Sequence, residues 1–165
     1  MEQQLPMPTQ WHEKYKVGIA EIDQQHMDLL RHVETIHAML AHPKLTKTSI
    51  RATMREFAEH VKFHFKFEED LMFYFNFNDY STHKETHKFL LMQLKKLVEE
   101  NGDQVSGARR IANFLQSWLV GHISVDDFVY AKQFNQIAGE EYQLFLEHRQ
   151  GRRDSEGRPA TLDDV

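Results

Sequence analysis

Apolar residues recur in alternating steps of four and three along four separate stretches of this chain. A repeat of this kind keeps one face of an α-helix apolar, so each stretch predicts an amphipathic helix. The four stripes are Ile19, Ile22, His26, Leu29, Val33, Ile36 and Leu40; Ile50, Met54, Phe57, Val61, His64, Glu68, Leu71 and Phe75; His83, His87, Leu90, Leu94 and Leu97; and Ile111, Leu115, Trp118, His122, Val125 and Val129. Four such helices can bury their apolar faces against one another in a single core.

Capping residues and helix breakers place the ends of these predicted helices. We expect helices from near Ala20 to His42, from Thr46 or Thr48 to about Phe75, from Ser81 or Thr82 to near Asn101, and from residues 104–106 past Val129. Pro43 and Gly102 follow two of the ends, as is common after a helix. Because the connections are short, successive helices should be antiparallel neighbours. The sequence therefore predicts an all-α fold, an up-down-up-down four-helix bundle.

The first part of the chain, up to about residue 18, is expected to form an extended arm. Pro6 and Pro8 oppose helix there, because proline lacks the backbone N–H that a helix interior requires. Trp11 and Tyr15 are the aromatic residues of this arm, and we expect them to lie along the bundle.

The chain continues well beyond the fourth stripe. Ile137, Glu141 and Leu144 predict further helix as a C-terminal extension, and from residue 151 onward the sequence is polar and lacks a helical period. A segment of that composition cannot bury enough apolar surface to order itself. We expect one bundle domain over residues 1–150 and a flexible polar tail or linker over residues 151–165.

Histidine interrupts every apolar stripe at a position that should be buried. These residues are His26, His64, His83, His87 and His122, and Glu68 follows His64 by one helical turn. One buried histidine is usually an ordinary core residue, and a buried carboxylate without a partner costs several kcal/mol. Five histidines and a carboxylate on four core faces are hard to satisfy except with metal. Imidazole suits iron, zinc, copper and nickel, and a carboxylate can bridge two ions.

The composition narrows the class of protein further. The 165 residues carry a formal net charge of -5, so there is no basic excess for binding nucleic acid. The chain has no cysteine, which excludes disulfides, iron–sulfur clusters and thiolate zinc sites. No apolar run approaches the roughly 20 residues of a membrane-spanning helix, and the N-terminus lacks the pattern of a secretory signal. We therefore expect a cytoplasmic protein without nucleic-acid or membrane partners.

Four motifs together resemble the hemerythrin family, and specifically the bacteriohemerythrins. They are IDQQH with His26, HFKFEE with His64 and Glu68, HKETH with His83 and His87, and WLVGHISVDD with His122 and Asp127. HxxxE or HxxxH alone is a weak signal, but these motifs in this order supply all seven ligand positions of the family pattern between about Trp11 and Phe134. The resemblance implies a four-helix bundle around a non-haem di-iron centre, in agreement with the periodicity.

The resemblance also implies roles for individual residues. One iron would be held by His83, His87 and His122, the other by His26 and His64, and Glu68 and Asp127 would bridge both, together with an oxo or hydroxo group. The second iron would keep an open position, where dioxygen binds reversibly. The apolar pocket positions of the family correspond to Leu29, Phe65, Trp118, Leu119 and Ile123.

The function that this resemblance implies is not enzymatic. It is reversible dioxygen binding, for storage, delivery or sensing. A di-iron enzyme such as a ferroxidase, peroxidase or nitric-oxide reductase is an alternative, although a centre rich in histidine and poor in carboxylates argues against it. Another is a sensory domain whose C-terminal helix passes a signal to a protein partner or separate output module. A metal-free or zinc-holding interaction module is a third, and the full ligand set argues against it.

Other polar residues near these motifs are expected to lie outside the centre. His60 is on the flank of its stripe, and we expect it to be exposed or hydrogen-bonded, with a place beside the metals as the alternative. Glu69 and Asp70 are expected on a solvated face. Asp23 precedes His26 by about one turn and either bonds a ligand or caps the first helix; the pattern leaves this choice open.

The segment after His122 contains two neighbouring carboxylates, Asp126 and Asp127, and either could be the metal ligand. In a regular helix Asp126 lies one turn from His122, whereas Asp127 lies roughly 140° around the axis; the family pattern favours Asp127. Shifted by one residue, the apolar stripe continues through Tyr130, Phe134, Ile137, Glu141 and Leu144. A single π-turn supplies such a shift. We therefore predict a π-turn between residues 122 and 127, with Asp127 on the metals and Asp126 facing solvent or an outer partner.

Overall fold

The computed structural model describes residues 11–42, 46–101, 105–134, 136, 137 and 139–151. In chain order they form a 3-10 turn at Glu13–Tyr15 and the α-helices α1 (Ala20–Leu40), α2 (Lys47–Tyr74), α3 (Tyr80–Asn101), α4 (Val105–Phe134) and α5 (Gly139–Gly151). Within the described part of the chain there is no β-strand. The all-α class predicted from the sequence is confirmed.

Four of the helices form a bundle. α1 packs against α2 and α4, and α3 packs against the same two helices. Because only a few residues connect one helix to the next, helices that are neighbours in the chain run antiparallel, as the sequence predicted. The 3-10 turn lies against α4, and Tyr15 within it is buried, so this part of the arm follows the bundle. Pro6 and Pro8 lie outside the described residues.

Local hydrogen bonds fix where the first two helices begin. The carboxylate of Asp23 accepts hydrogen bonds from the backbone N–H groups of Val17 at 2.7 Å and Gly18 at 3.1 Å. Gly18 has a φ of 91°, a backbone conformation that glycine adopts without steric cost. Asp23 therefore anchors the segment that precedes α1, although no side chain caps the first turn of α1 itself. α2 begins with a capping box between Thr46 and Ser49.

The buried apolar side chains form two clusters with polar groups between them. The first cluster includes Leu29, Val33, Ile36, Met54, Phe57, Val61, Leu115 and Leu119, and the second includes Ile19, Ile22, Phe67, Leu71, Tyr130 and Phe134. On α1, His26 lies between the two clusters, and on α2, His64 and Glu68 lie at their boundary. Each fully buried Leu or Phe contributes roughly 1.5–3 kcal/mol. The polar layer is therefore enclosed by apolar packing on both sides along the bundle axis.

The buried face of α4 differs from the predicted stripe. Val125 and Val129 are 63% and 49% exposed, whereas Ile123, Asp127 and Tyr130 are at most 1% exposed. These three residues are four and three positions apart, as neighbours on one face of a regular helix are. The predicted stripe is confirmed at Ile111, Leu115 and His122, which are at most 2% exposed, and is wrong at Val125 and Val129. Beyond His122 the helix carries apolar residues on two sides, and only packing against α1 and α3 selects one of them.

The predicted π-turn in α4 is also wrong. Every residue of Val105–Phe134 is α-helical. A regular helix turns Asp127 inward because the buried face is centred near Ile123, one turn earlier. His122 lies at the edge of that face, and its long side chain reaches the interior. Asp127 is 0% exposed, and the Asp126 side chain beside it is 39% exposed.

The C-terminal helical extension is α5, which packs against α1 and α2. Its Phe145 is 2% exposed and contacts the ring of Phe67. Tyr142 donates a hydrogen bond to Glu21 of α1. Near the end of α5, Arg149 pairs with the carboxylate of Asp70 on α2 at 3.2 Å. The tail predicted after residue 151 lies outside the described residues.

The docking of α5 corrects two expectations. Asp70 was expected on a solvated face but is 6% exposed, because α5 covers it and supplies Arg149 as its partner. Leu144 was expected to continue the core stripe but is 57% exposed, and Phe145 is buried instead. That expectation was wrong because α5 starts anew at Gly139, so the helical phase of α4 does not carry over.

Substituting Phe145→Ala is expected to lower the free energy of unfolding by about 3 kcal/mol, because it removes a buried ring and leaves a cavity. Leu144→Ala, at the exposed neighbouring position, is the matched control and should cost less than about 0.5 kcal/mol. Urea unfolding followed by far-UV circular dichroism measures both values. Equal losses in the two variants would contradict the packing of α5 described above.

Candidate metal centre

Seven polar side chains from the four bundle helices converge in the layer between the two apolar clusters. They are His26 of α1, His64 and Glu68 of α2, His83 and His87 of α3, and His122 and Asp127 of α4, and each is at most 6% exposed. Each histidine directs its Nε2 atom toward a carboxylate of the layer. The structure therefore places together all seven residues that the sequence motifs singled out.

The donor atoms divide into two groups, each compact enough for one metal ion. The first group is Glu68, His83, His87 and His122, and the second is His26, His64, Glu68 and Asp127. Within each group the donor atoms lie within 4.8 Å of one another. The Nε2 atoms of His87 and His122 are 3.2 Å apart, and two atoms bound at about 2.1 Å to one ion lie roughly 3–3.4 Å apart. The spacing fits shared coordination.

Glu68 belongs to both groups and turns one oxygen toward each. Its Oε1 lies 3.4 Å from Nε2 of His64, in the second group. Its Oε2 lies 3.2 Å from Nε2 of His87, in the first group. A carboxylate in this position can bind one ion through each oxygen. The geometry therefore fits a pair of metal ions with Glu68 between them.

Asp127 also turns one oxygen toward a histidine of each donor group, and neither oxygen has a hydrogen-bond partner. Its Oδ2 lies 3.1 Å from Nε2 of His26, and its Oδ1 lies 3.2 Å from Nε2 of His122. Both carboxylate oxygens, both ring nitrogens of His26 and Nε2 of His64 are buried without a hydrogen-bond partner. A buried polar atom left unpaired costs about 1–3 kcal/mol, and more when charged. Coordination of metal ions satisfies donor atoms of this kind, so the residues fit the group that the motifs imply.

Three of the histidine rings are held by partners outside the two groups. Nδ1 of His64 faces Oε1 of Gln25, Nδ1 of His87 faces Oε1 of Glu69, and Nδ1 of His122 faces Oδ2 of Asp126, each at 3.0 Å. Because an amide or carboxylate oxygen accepts hydrogen bonds, each Nδ1 donates a hydrogen to its partner. Nε2 is therefore the nitrogen left to bind metal once the ring is neutral.

Gln25 and Glu69 were missed as site residues by the sequence analysis. Glu69 was expected on a solvated face, but its side chain is 13% exposed because it turns toward His87 on α3. A sequence signal exists: each outer partner stands next to a residue of the centre, as Gln25 precedes His26 and Glu69 follows Glu68. Neighbouring positions on a helix point about 100° apart. When one of two neighbours points into the centre, the other can therefore reach a histidine ring of the adjacent helix.

Tyr130 is a further residue that the sequence analysis placed only in the core. Its hydroxyl donates a hydrogen bond to Oε1 of Glu68 across the bundle. Burial, together with the carboxylates of Glu68 and Asp127, raises the pKa of Tyr130 well above its usual value. The hydroxyl therefore stays protonated and acts as a donor. Its signal in the sequence is its place one turn after Asp127 on the buried face of α4.

The groups of the centre shift one another's pKa values. Burial opposes the charged form of His122, but the neighbouring carboxylates, Asp127 foremost, outweigh it and raise the pKa of His122 to about 10. Burial also opposes the ionised form of Glu68, yet His64 and hydrogen bonds from other histidines hold the pKa of Glu68 well below its usual value. In His64 itself burial dominates, and the pKa is lowered well below its usual value.

Loading the centre with ferrous iron at pH 7 is expected to release at least one proton per chain. The raised pKa of His122, about 10, keeps that ring protonated at every pH below this value, whereas a metal binds the neutral imidazole. Iron affinity should therefore fall as the pH is lowered. Anaerobic calorimetric titrations in two buffers of different ionisation enthalpy measure the proton count. Equal apparent enthalpies in both buffers would show that no proton is released.

Aromatic side chains cover the centre on the side of the first apolar cluster. Phe65 stacks on His87 with 3.7 Å between ring centroids and 5° between planes, and Trp118 stacks on His122 at 5.7 Å and 17°. The remaining pocket positions expected from the motifs are Leu29, Leu119 and Ile123, which are at most 1% exposed and belong to the same cluster. All five residues therefore lie on the side of the polar layer that faces the first apolar cluster, and Trp118 is only partly buried.

His60, the doubtful histidine of α2, lies outside this centre. Its side chain is exposed, and its Nδ1 lies 3.0 Å from the backbone oxygen of Glu56. The ring stands beside that of His32 on α1. Of the two placements considered for His60, the exposed and hydrogen-bonded one is observed.

Fold and site together define a class of protein: a four-helix bundle with a buried, histidine-rich centre that fits metal ions. A profile of the hemerythrin HHE cation binding domain matches residues 17–134. A hemerythrin-like protein of Naegleria gruberi is 32% identical over 126 residues, covering 76% of this chain and 93% of that protein. A bacteriohemerythrin of Stenotrophomonas maltophilia is 27% identical over 143 residues, covering 86% and 89%. A myohemerythrin of Theromyzon tessulatum is 24% identical over 127 residues, covering 77% and 94%.

The chain belongs to the hemerythrin family. The family supports a role in oxygen binding at non-haem iron, and the clustered histidines and carboxylates fit a metal site. Among the residues described, no helix combines the length and apolar character that crossing a bilayer requires.

Proposed function

We propose that this protein binds dioxygen reversibly at a pair of iron ions, for storage, delivery or sensing, and that it is not an enzyme. The observation that carries the proposal is the asymmetry of the two donor groups. One group contains three histidines and the other contains two, and both include Glu68. If both ions share the carboxylates, the ion in the group with fewer imidazoles keeps a coordination position for an external molecule. Such an open position separates a functional metal site from a closed structural one.

In this proposal each residue of the centre holds or bridges metal. His83, His87 and His122 would hold one ion and His26 and His64 the other. Glu68 and Asp127, each facing histidines of both groups, would hold both ions, and an oxo or hydroxo group would complete their ligands. A pair of ferrous ions supplies the two electrons that reversible dioxygen binding requires. Five neutral imidazoles and two carboxylates leave such a pair with a net positive charge, which an anionic bridge reduces further.

The outer partners and the apolar wall support a carrier rather than an oxidase. Gln25, Glu69 and Asp126 fix three of the rings by hydrogen bonds, and such partners preserve ligand orientation. Phe65 and Trp118 stack on two of the histidines and keep water away from that side of the centre. A dry wall withholds the protons and substrates that would turn bound dioxygen into an irreversible oxidant.

The visible spectrum of the iron-loaded protein tests the proposal. We expect about two irons per chain and an absorption band in air that disappears under vacuum and returns when oxygen is readmitted. Irreversible bleaching with consumption of hydrogen peroxide would favour a ferroxidase, peroxidase or nitric-oxide reductase instead. Failure to take up iron would favour an interaction module.

Two further expectations belong to the same proposal. We propose a cytoplasmic location. We also propose that α5 can pass a signal from the bundle to a protein partner or output domain. It contacts α2 through Phe145 and Arg149. Comparing the circular dichroism of α5 variants with and without oxygen would test a sensory role.

A further inference from the structure

A second group of potential metal ligands lies on the surface seam between α1 and α2. His32 of α1 meets Glu56 and His60 of α2, with 4.1 Å between the centroids of the two rings. Nε2 of His32 lies 3.8 Å from Oε1 of Glu56. Glu56 and His60 are four residues apart on α2, so they lie on one face of that helix. None of the three belongs to the buried centre.

Both rings of this seam are already held in the tautomer that binds metal. Nδ1 of His32 lies 2.8 Å from the backbone oxygen of Asp28, and Nδ1 of His60 lies 3.0 Å from that of Glu56. Because a carbonyl oxygen only accepts hydrogen bonds, each Nδ1 carries the hydrogen and each Nε2 keeps its lone pair. A hydrogen bond from the second nitrogen also orients the ring, as in known metal sites.

The seam offers space and a suitable balance of charge. A groove of about 390 Å³ is lined by His32, Glu56 and His60, among others, and a second groove of about 350 Å³ lies along the other side of His60. The cation at this groove, Arg31, is paired with Asp28 at 2.8 Å, which offsets its charge. The donor atoms of the three residues lie less close together than those of the buried centre. The Glu56 side chain is 65% exposed and must turn to bring its carboxylate to both rings.

We infer that His32, Glu56 and His60 bind one divalent transition-metal ion, with water completing its coordination. Two imidazoles and one carboxylate form a ligand set that suits zinc. Because the ligands come from two helices, a bound ion joins α1 to α2. The site does not depend on the proposed oxygen function, since it shares no residue with the buried centre.

Zinc uptake by the full-length protein, loaded with iron beforehand, tests this inference. Equilibrium dialysis at one free-zinc concentration compares the wild type with His32→Gln and His60→Gln, and iron is measured before and after. His12→Gln is the matched control, because His12 is an exposed histidine outside the seam. The iron content shows whether the buried centre is equally filled in every variant. Far-UV circular dichroism verifies the helicity of every variant.

The wild type and His12→Gln should each hold one more zinc ion per chain than the two seam variants. Removing one ligand should weaken this binding at least tenfold, since even loss of an outer partner costs roughly 10–100-fold. Zinc should also raise the melting temperature of the wild type but not of the seam variants, because an ion bound only to the folded state stabilises it. Equal zinc uptake and equal melting shifts in the wild type, His32→Gln and His60→Gln would overturn the inference.

Discussion

His64→Ala is expected to abolish the reversible oxygen band and to lower the iron content below two per chain. In the proposed centre one ion has only His26 and His64 as imidazole ligands, so this substitution removes half of them. Nε2 of His64 is buried without a hydrogen-bond partner and lies 3.4 Å from Glu68. Alanine is a good helix former, so α2 should persist. Metal analysis and visible spectra in air and under vacuum measure the outcome.

His60→Ala is the matched control for this experiment. It removes a histidine one turn earlier on the same helix, but from an exposed position. Iron content and the oxygen band should match those of the wild type. If His64→Ala keeps both irons and the reversible band, His64 is not a ligand and the proposed assignment fails. If His60→Ala loses iron and the oxygen band, His60 takes part in the buried centre, and its assignment to the surface seam is wrong.

Asp127→Asn is expected to have the second-largest effect, with iron loss and no reversible oxygen band. The Asp127 side chain is 0% exposed, and each of its oxygens faces a histidine of a different donor group. An amide keeps the size of the side chain but replaces one oxygen with an NH₂ group, which cannot bind metal. Charge balance also changes, because a buried anion is lost beside His122, whose pKa it helps to raise.

Asp126→Asn, at the adjacent position, separates bridging from ring orientation. Asp126 accepts a hydrogen bond from Nδ1 of His122 and is itself a member of neither donor group. This variant should still bind two irons and oxygen, with metal affinity reduced about 10–100-fold, as for other outer partners. Iron retention in the presence of a chelator and the oxygen spectra are measured for both Asp126→Asn and Asp127→Asn. A larger loss in Asp126→Asn than in Asp127→Asn would reverse the roles proposed for the two residues.

Six of the seven residues of the centre could be named from the sequence because each helix carries its own short-range pattern. Asp127 was named only through the resemblance to the hemerythrin family, since helical spacing from His122 favoured Asp126. His64 and Glu68 are one turn apart, as are His83 and His87, and helical geometry places such pairs on one face. The apolar positions around them required those faces to be buried. Four buried faces in one bundle can only meet at the same axis, so the local patterns predicted a convergence that the structure contains.

The phase of α4 could not be predicted in the same way. Val125 and Val129 are as apolar as Ile123, and both sides of the helix offer an acceptable stripe. The structure buries Ile123 and leaves the two valines largely exposed. The π-turn was predicted in order to shift the stripe by one residue, onto Tyr130 and Phe134. The structure does bury Tyr130 and Phe134, but without a π-turn. Once packing selects the face centred on Ile123, a regular helix places Asp127 inward without it.

The sequence by itself determined the helices, their order and six of the seven residues that meet at the centre, because helical period, capping and the cost of buried charge are local or additive properties. Only the tertiary structure decided the contacts between distant segments. Tyr130 reaches Glu68, Glu69 reaches His87, and α5 covers Asp70 with Arg149. Such contacts depend on the angle and depth at which helices pack. Side-chain pairing across helices has no period in the sequence, and so no pattern along the chain could specify it.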